Sequence, residues 1–328
     1  MLTVKNLSKK LDNFCIDNAN LTVPPGSYAM ILGQSGSGKT TLLNLLCGII
    51  KPDFGEITWN GASLFQRSAE KPVISVIFQN NNLFPHLSVK QNIEFPLHFQ
   101  KLSKKERANR LEKAINATQT GNLLKKYPNA LSGGETQRVA LARVIASDTE
   151  IVFLDEPLSS IDVESKENLI ELLRKIHETG KTIIHITHNV EETFRLANYL
   201  IIMNSGAIIQ QGIMDDVVNH PKNNFVAQMF GYFNFFESCD KFGQETIDVF
   251  KIDISSSPFI IHPSKIDITT DYQHNSIKTS VKDISRTLNG YYIKVSTNPE
   301  LTVFIDFGHS FLKKSPCPGM VCYIRPKH

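Results

Sequence analysis

The chain has 328 residues, of which 41% are hydrophobic and 20% charged, and its net charge is +3. This is the composition of an ordinary globular protein of about two domains, and so small a net charge argues against a nucleic-acid-binding protein. No run of about 18 apolar residues is present, so no transmembrane helix is predicted. The five cysteines form no C-x-x-C pair, which favours reduced thiols over a metal site or a disulfide framework.

Short apolar strands alternate with helical patterns through the first two thirds of the chain. The predicted strands are Leu2–Leu7, Phe14–Val23, Tyr28–Leu32, Glu56–Trp59, Val73–Phe78, Ile151–Leu154, Thr182–Thr187, Tyr199–Met203 and Ala207–Gln211. The predicted helices are Thr41–Leu46, Val89–Phe99, Ser103–Thr118, Thr136–Ala146 and Glu164–Glu178. This alternation predicts an α/β domain with a mostly parallel sheet.

A glycine-rich segment follows the third strand and opens the first helix. Its sequence Gly33-Gln34-Ser35-Gly36-Ser37-Gly38-Lys39-Thr40 fits the pattern G-x-x-x-x-G-K-[ST] in full. Glycines let the backbone N–H groups curl around a phosphate, and the start of a helix adds a positive dipole. Lys39 would contact the β- and γ-phosphates of a triphosphate, and Thr40, followed by Thr41, would offer a hydroxyl to Mg²⁺.

Two acidic residues follow another buried strand. Asp155 and Glu156 come directly after Ile151–Leu154. Asp155 can hold Mg²⁺ there, while Glu156 can polarise the attacking water. An isolated acidic pair would be interpreted as a solvated strand end. Beside a complete phosphate loop, the pair predicts a nucleotide-hydrolysing site.

The order of these motifs resembles the nucleotide-binding subunit of an ATP-binding-cassette transporter, over residues 1 to about 230. Gln79 is similar to the glutamine loop and His188 to the switch histidine of that family. Leu131-Ser132-Gly133-Gly134-Glu135 resembles its signature motif, and Ser159-Ser160-Ile161-Asp162 its D-loop. The signature motif in this order is specific, whereas the phosphate loop alone indicates only an NTPase.

The resemblance implies a P-loop NTPase cassette over residues 1–231, with a helical subdomain at about 84–146. It also implies a head-to-tail homodimer, in which each ATP lies between Lys39 of one copy and the signature residues Ser132, Gly133, Gly134 and Glu135 of the other. Asp162 would bridge the interface between the two copies.

Further roles are implied by position in the family pattern. Gln79 would contact Mg²⁺ and the attacking water, and His188 would contact the γ-phosphate. Phe14 is the candidate for stacking on adenine, with a purely structural core position as the alternative. Leu83–His86 fall where the family docks its integral membrane permease. These roles imply a peripheral protein on the cytoplasmic face of the inner membrane, linked indirectly to an extracytoplasmic substrate-binding protein.

The last hundred residues change in character. Residues 232–328 carry short β-rich segments, including Tyr291–Val295 and Leu301–Ile305, with no long helical pattern. They predict a small all-β, barrel-like domain. This domain resembles the TOBE-type barrel of importer ATPases, since His262-Pro263-Ser264-Lys265-Ile266 is similar to a stretch found there.

The predicted function is ATP hydrolysis that powers uptake through a permease. Molybdate or tungstate is the first expectation for cargo, because Glu135 replaces the usual Gln as in molybdate-type importers. Ferric iron, sulfate and polyamines are alternatives. A soluble cassette ATPase is a hypothesis of another class. It is disfavoured because the interval of about ninety residues between Thr40 and Leu131 holds no extended coiled coil.

Overall fold

The computed structural model describes the chain except residues 12, 66–70, 160, 232–233, 237–247, 251–258, 262, 275, 288–289, 298–299, 307–308, 315 and 328. It contains two compact units, Met1–Asn219 and His220–His328. The predicted domain boundary at residues 231 and 232 stays a prediction, because residues 232–233 lie outside the described part.

The first unit contains an antiparallel sheet. Its strands are β1 (Leu2–Leu11), β2 (Phe14–Val23), β4 (Phe54–Trp59) and β5 (Ala62–Ser63), in the order β2-β1-β4-β5. β1 extends four residues beyond its predicted end and forms a hairpin with β2. Buried side chains such as Leu7 and Leu21 share one hydrophobic cluster with Leu42 and Leu43, which follow the phosphate loop. This packing fixes the hairpin relative to the loop.

A second, mostly parallel sheet runs through the same unit. Its strands are β3 (Tyr28–Leu32), β6 (Ile74–Ile77), β7 (Ile151–Asp155), β8 (Thr182–Thr187), β9 (Tyr199–Asn204) and β10 (Ala207–Ile213). The order is β10-β9-β3-β8-β7-β6, and only the β9–β10 edge pair is antiparallel. β3, β7 and β8 are buried at every residue, as expected for parallel strands covered on both faces.

Several helices of the first unit pack against the parallel sheet, and three of its helices form a layer with a core of its own. The helices include α1 (Lys39–Leu46), α2 (Val89–Glu94), α3 (Lys104–Thr118), α4 (Gly133–Ser147), α5 (Val163–Glu178), α6 (Val190–Leu196) and α7 (Met214–Asn219) in the first unit, and α8 (Asn224–Met229) in the second. α2, α3 and α4 enclose a core of their own around Val89, Ile93 and Val139. Among the described residues, no helix has both the length and the apolar character needed to span a bilayer.

Two helices begin or end three or more residues away from their predicted limits. α2 ends at Glu94 and continues as the 3-10 helix Phe95–Phe99, because Pro96 lacks the N–H that an α-helix needs. α4 begins three residues before the predicted Thr136, because Ser132 caps it.

The second unit is built on antiparallel strands. They are β11 (Phe235–Phe236), β12 (Phe259–Ile260), β13 (Ile266–Thr269), β14 (Ile277–Arg286), β15 (Gly290–Val295), β16 (Leu301–Asp306) and β17 (Val321–Pro326). The main sheet has the order β13-β17-β14-β15-β16, and its two edge strands lie close enough to make a nearly closed barrel. The predicted α/β cassette followed by a small barrel-like domain is therefore confirmed, although His262 of the TOBE-like stretch lies outside the described residues.

Candidate functional site

The phosphate loop runs from the end of β3 into α1. Gly36 and Gly38 have φ values of +79° and +99°, in the left-handed region that favours glycine. The N–H of Gly206, in the turn between β9 and β10, donates to the Ser37 carbonyl at 2.9 Å and so holds the loop from below. The Ser37 hydroxyl is buried, and no described residue is its hydrogen-bond partner. The positive φ values of the two glycines and the hydrogen bond from Gly206 together hold the loop in a strongly curved form.

Lys39 bends back across this loop. Its Nζ donates to the carbonyl of Gly33 at 2.8 Å and to that of Gln34 at 3.0 Å. Burial lowers the pKa of Lys39, while the nearby Glu156 and Asp155 act in the opposite direction. The acceptors of this partly desolvated ammonium group among the described residues are neutral carbonyls, so it is well suited to take a phosphate oxygen as an additional partner.

Asp155 is the last residue of β7 and is buried. Burial raises the pKa of this carboxyl group, and the charge of Glu156 raises it further, against a hydrogen bond from the Thr40 side chain and the charge of Lys39. A carboxylate and a hydroxyl are the oxygen ligands that Mg²⁺ prefers, and this carboxylate lacks a full counter-charge. The residues present therefore fit a divalent cation.

Glu156 is held by its backbone in an uncommon conformation. Its φ is +46°, which costs a non-glycine residue on the order of 1 kcal/mol. Its N–H donates to the Ile186 carbonyl at 2.9 Å, and its carbonyl accepts from both the N–H and the hydroxyl of Ser159 at 3.1 and 2.8 Å. Its Oε1 lies 2.9 Å from Nδ1 of the exposed His188 side chain. These contacts bring the carboxylate and the imidazole together.

One cavity of about 650 Å³ collects most of the predicted residues. Its lining consists of Leu11, Phe14, Ser35, Gly36, Gly38, Lys39, Thr40, Thr41, Gln79, Asp155, Glu156 and His188. Of these, Leu11 is the one residue that the sequence did not suggest, although it stands three positions before Phe14. The phosphate loop, the acidic pair, Gln79 and His188 thus share a single space.

The signature residues lie outside that lining. Ser132 is the N-cap of α4: its hydroxyl accepts from the N–H of Glu135 at 3.2 Å, and Glu135 Oε2 accepts from the N–H of Ser132 at 2.9 Å. That second hydrogen bond, together with the Lys126 ammonium 3.3 Å away, lowers the pKa of Glu135. Gly133 is the first residue of the helix. This helix start therefore has the N-terminal polarity that attracts anions, away from the cavity.

Asp162 also lies outside the lining, at the start of α5. Its carboxylate accepts from the N–H of Ser165 at 2.9 Å and so caps the helix. A Cβ on Gly134 would lie 2.9 Å from the Ser165 hydroxyl, so the starts of α4 and α5 approach closely. The cap could have been predicted, because Asp directly before a helical pattern is a common N-cap. Ser160 of the D-loop lies outside the described residues.

This geometry has relatives among known proteins. A family model described as ABC transporter matches residues 16–159. The chain is 39% identical over 235 residues to a probable sulfate/thiosulfate import ATP-binding protein of Chlorella vulgaris, covering 70% of this chain and 98% of that protein. It is 40% identical over 238 residues to a molybdate/tungstate import ATP-binding protein of Pyrococcus horikoshii, covering 72% of this chain and 69% of that protein.

The chain belongs to the ABC transporter family. It is an importer-type ATPase subunit. Solved structures of ATP-binding cassettes agree with this assignment to the family. A dimeric ATP-binding cassette bound to ADP and Pi in a post-hydrolysis state is 30% identical, with a TM-score of 0.58, and the match covers 65% of this chain and 99% of that one. Another, cbiO1 from Clostridium perfringens, has a TM-score of 0.59 at 27% identity and covers 70% of this chain and 98% of that one.

A second cavity of this ABC ATPase lies beside the helical layer and measures about 570 Å³. We call it the aromatic groove. Its lining consists of Pro72, Ser75, Val76, Phe78, Asn82, Phe84, Phe95, Pro96, Phe99, Arg143, Val144 and Ser147. Of the predicted docking stretch Leu83–His86, Phe84 lines this groove, whereas Leu83 packs against the core of the helical layer. No motif in the sequence predicts that Phe95 and Phe99 lie beside Phe84.

Arg143 of α4 connects the aromatic groove to the segment after Gln79. Its two terminal nitrogens donate to the carbonyls of Asn81 and Asn82, both at 3.0 Å. Its guanidinium carbon lies 5.9 Å from the centre of the Phe84 ring, within the range of a cation–π contact. Burial lowers the pKa of Arg143. One half-buried side chain on α4, the helix that the signature motif begins, therefore holds the loop that follows Gln79.

Proposed function

We propose that this chain hydrolyses ATP as one half of a head-to-tail homodimer and thereby drives substrate uptake through a membrane permease. The observation that carries the proposal is the cavity shared by Lys39, Asp155, Glu156 and His188, together with a signature helix that starts outside it. A second copy would bring the N-terminus of its own α4, capped by Ser132, to the open side of this cavity. The dimeric form of the cassette that is 30% identical supports this arrangement.

Binding of the nucleotide follows from the donors of the loop. Backbone N–H groups of the phosphate loop and the Lys39 ammonium would bind the β- and γ-phosphates, with Lys39 exchanging its bonds to carbonyls for bonds to phosphate. Thr40 and Asp155, with Gln79 at the other wall, would hold Mg²⁺. When bound, Mg²⁺ would offset the phosphate charge and polarise the γ-phosphoryl group. Phe14 would contact the adenine ring.

Hydrolysis follows from the pair formed by Glu156 and His188. The Glu156 carboxylate would orient and polarise the attacking water. His188, bound to that carboxylate at 2.9 Å, would contact the γ-phosphate and keep the carboxylate directed toward it. Loss of the γ-phosphate would remove the group that both Lys39 and the partner's signature helix bind. The dimer would then open, and this movement would be passed to the permease.

The catalytic part of the proposal is tested with Glu156→Gln. The variant should lose ATP hydrolysis by at least a hundredfold and still bind ATP, because the amide keeps the shape of the side chain but not its basicity. In ATP it should accumulate as a dimer, measured by light scattering after size exclusion. Hydrolysis that survives this substitution would contradict the role of Glu156.

The chain offers a matched pair for the role of the signature motif. Ser132 and Ser103 are both N-caps with a capping box, each hydroxyl accepting an N–H at 3.2 Å. The Ser103 hydroxyl also donates to Glu106 Oε2 at 2.7 Å, so the control, Ser103→Ala, loses at least as much capping as Ser132→Ala. Ser132→Ala and Ser103→Ala should therefore each lower the free energy of unfolding by about 1 kcal/mol. Only Ser132→Ala should weaken ATP-dependent dimerisation and hydrolysis. Equal activity of the two variants would contradict the head-to-tail arrangement.

The aromatic groove is the surface that we propose for the permease, on the cytoplasmic face of the membrane. Its rings form a ladder, with centroids 4.3 Å apart for Phe84 and Phe95 and 5.3 Å apart for Phe95 and Phe99. Phe99 is 56% exposed, and Phe54, which lies outside the groove, is 75% exposed. Phe99→Asp should abolish the stimulation of ATPase activity by co-purified permease, whereas Phe54→Asp should not. Stimulation that survives Phe99→Asp would place the permease elsewhere.

For cargo we propose molybdate or tungstate, delivered to the permease by an extracytoplasmic binding protein. Two observations support this: Glu135 in the signature motif, and 40% identity to the molybdate/tungstate import protein of Pyrococcus horikoshii. Relatives named for sulfate/thiosulfate and, in Escherichia coli, for putrescine transport define the competing outcomes. Uptake of labelled molybdate, sulfate, iron and putrescine by vesicles carrying the whole transporter decides among them. Transport of sulfate, iron or putrescine without molybdate would contradict the proposal.

A further inference from the structure

A buried cluster of polar side chains lies behind the turn that carries His188. Its centre is Glu192 of α6, a buried carboxylate. The Lys166 ammonium of α5 lies 2.7 Å from Glu192 Oε1, and the hydroxyl of the buried Thr187, the last residue of β8, donates to Glu192 Oε2 at 2.8 Å. Each carboxylate oxygen therefore has a partner of its own, one on a helix and one on a strand.

The cluster fixes the backbone on both sides of His188. The Thr187 hydroxyl also accepts from the N–H of Asn189 at 3.1 Å, and this hydrogen bond links the residues before and after His188. Since a hydroxyl has one proton, its donation to Glu192 leaves its lone pairs free for Asn189. The Asn189 side chain in turn accepts from the N–H groups of Glu191 and Glu192 at 2.8 and 3.3 Å. The turn is thus anchored at both ends.

His188 itself has little packing to hold it. Its side chain is 66% exposed, and its imidazole reaches Glu156 at 2.9 Å. An exposed side chain takes its position mainly from its backbone, because surface packing leaves several rotamers open. The place of this imidazole in the cavity therefore depends on the turn, and the turn depends on Thr187 and Glu192.

We propose that Lys166, Glu192 and Thr187 form a positioning relay for His188. The inference rests on the proposed function, in which His188 contacts the γ-phosphate. Lys166 stands one turn after Asp162, the cap of α5, so the relay also joins the helix at the predicted dimer interface to the turn that carries the histidine. A shift of α5 when two copies meet would then move Glu192 and, through Thr187, the imidazole.

The relay is tested with two threonines of the same strand. Thr187→Val removes the hydroxyl without changing the shape of the side chain. Thr182→Val is the control: Thr182, at the other end of β8, is equally buried, and its hydroxyl accepts from the N–H of Gly26 at 2.8 Å, far along the strand from His188. Both variants should lower the melting temperature, but only Thr187→Val should lower kcat, by about tenfold or more, with KM for ATP unchanged. Thr187→Ser should restore kcat.

A second background separates positioning from stability. In a His188→Ala chain, Thr187→Val and Glu192→Gln should add no further loss of kcat, because residues that act through one group are not additive. Glu192→Gln alone should also lower kcat, and it serves where Thr187→Val folds poorly. Wild-type kcat in both variants, or a further loss in the His188→Ala background, would overturn the relay. If His188→Ala alone keeps wild-type kcat, the role proposed for His188 is wrong and the relay falls with it.

Discussion

Acidification is expected to destabilise the first unit through one buried histidine. His185 lies on β8, fully buried, with Nδ1 3.0 Å from the Tyr28 hydroxyl of β3 and Nε2 4.0 Å from Glu192 Oε2 of α6. Burial, and after it the positive charge of Lys166 on α5, lower the pKa of His185 to about 3. The folded protein therefore keeps this imidazole neutral over the whole range in which a free histidine becomes charged.

The sign and size of the effect follow from this difference in pKa. In the unfolded chain the histidine has a pKa of about 6.5, so the unfolded state takes up the proton first as the pH falls. Stability then decreases by about 1.4 kcal/mol per pH unit below 6.5, until the folded site titrates near 3. Between pH 7.5 and pH 5.0 the loss attributable to His185 is about 2 kcal/mol.

The assay compares wild type with His185→Asn by urea denaturation at the two pH values. The Asn amide can replace Nδ1 as the partner of Tyr28, but it does not titrate. The carboxylates contribute equally to both proteins, so the difference between the two pH-dependent losses isolates His185. Wild type should lose about 2 kcal/mol more than the variant. The same pH-dependent loss in both proteins would refute this account of the buried imidazole.

Three further substitutions test the surroundings of the site. Phe14→Ala should weaken nucleotide binding about tenfold, because the ring lines the cavity, and an unchanged Kd for ATP would leave Phe14 a core residue. Gly38→Ala should destabilise the protein more than Gly61→Ala. Both glycines have positive φ, so an alanine costs about 1 kcal/mol of backbone strain at either position. A Cβ on Gly38 would in addition lie 2.4 Å from the Phe14 ring, whereas a Cβ on Gly61 would meet no atom within 4 Å. Equal melting temperatures of the two variants would contradict the clash. Trp59→Phe should lower the free energy of unfolding by about 1–2 kcal/mol, because it removes the 2.7 Å hydrogen bond from Trp59 Nε1 to Glu150. An unchanged melting temperature would contradict this contribution.

The parts of the site that follow local rules could be predicted from the sequence. A phosphate loop needs glycines and a lysine at fixed spacing, and parallel strands bring residues at their carboxyl ends to one edge, so Lys39, Asp155 and His188 were expected together. Leu83 and Phe84 differ in this respect. They are neighbours of similar polarity, and only the three-dimensional packing assigns one to the helical core and the other to the aromatic groove.

Contacts between distant segments could not be predicted. Arg143 holds the carbonyls of Asn81 and Asn82 across about sixty residues of chain, and no spacing rule links an arginine in one helix to a loop so far away. The role of Glu192 could not be predicted for the same reason. It lies five residues after Thr187, but its other partner, Lys166, belongs to α5, which precedes β8 in the chain. β14 could not be predicted either, because its ten residues alternate only weakly between apolar and polar side chains.

The strand order has a consequence for how inactive variants should behave. β8 lies between β3 and β7, so the segments that carry Lys39, His188 and Asp155 leave three adjacent strands. Neighbouring strands are spaced about 4.8 Å apart by their backbone hydrogen bonds, whatever side chains they carry. The lateral spacing of the three segments at the points where they leave the sheet is therefore set by the peptide ladder. Replacing any one of these side chains should leave the backbone that carries the other two in place. Such inactive variants should therefore be suitable for capturing the ATP-bound form of the protein.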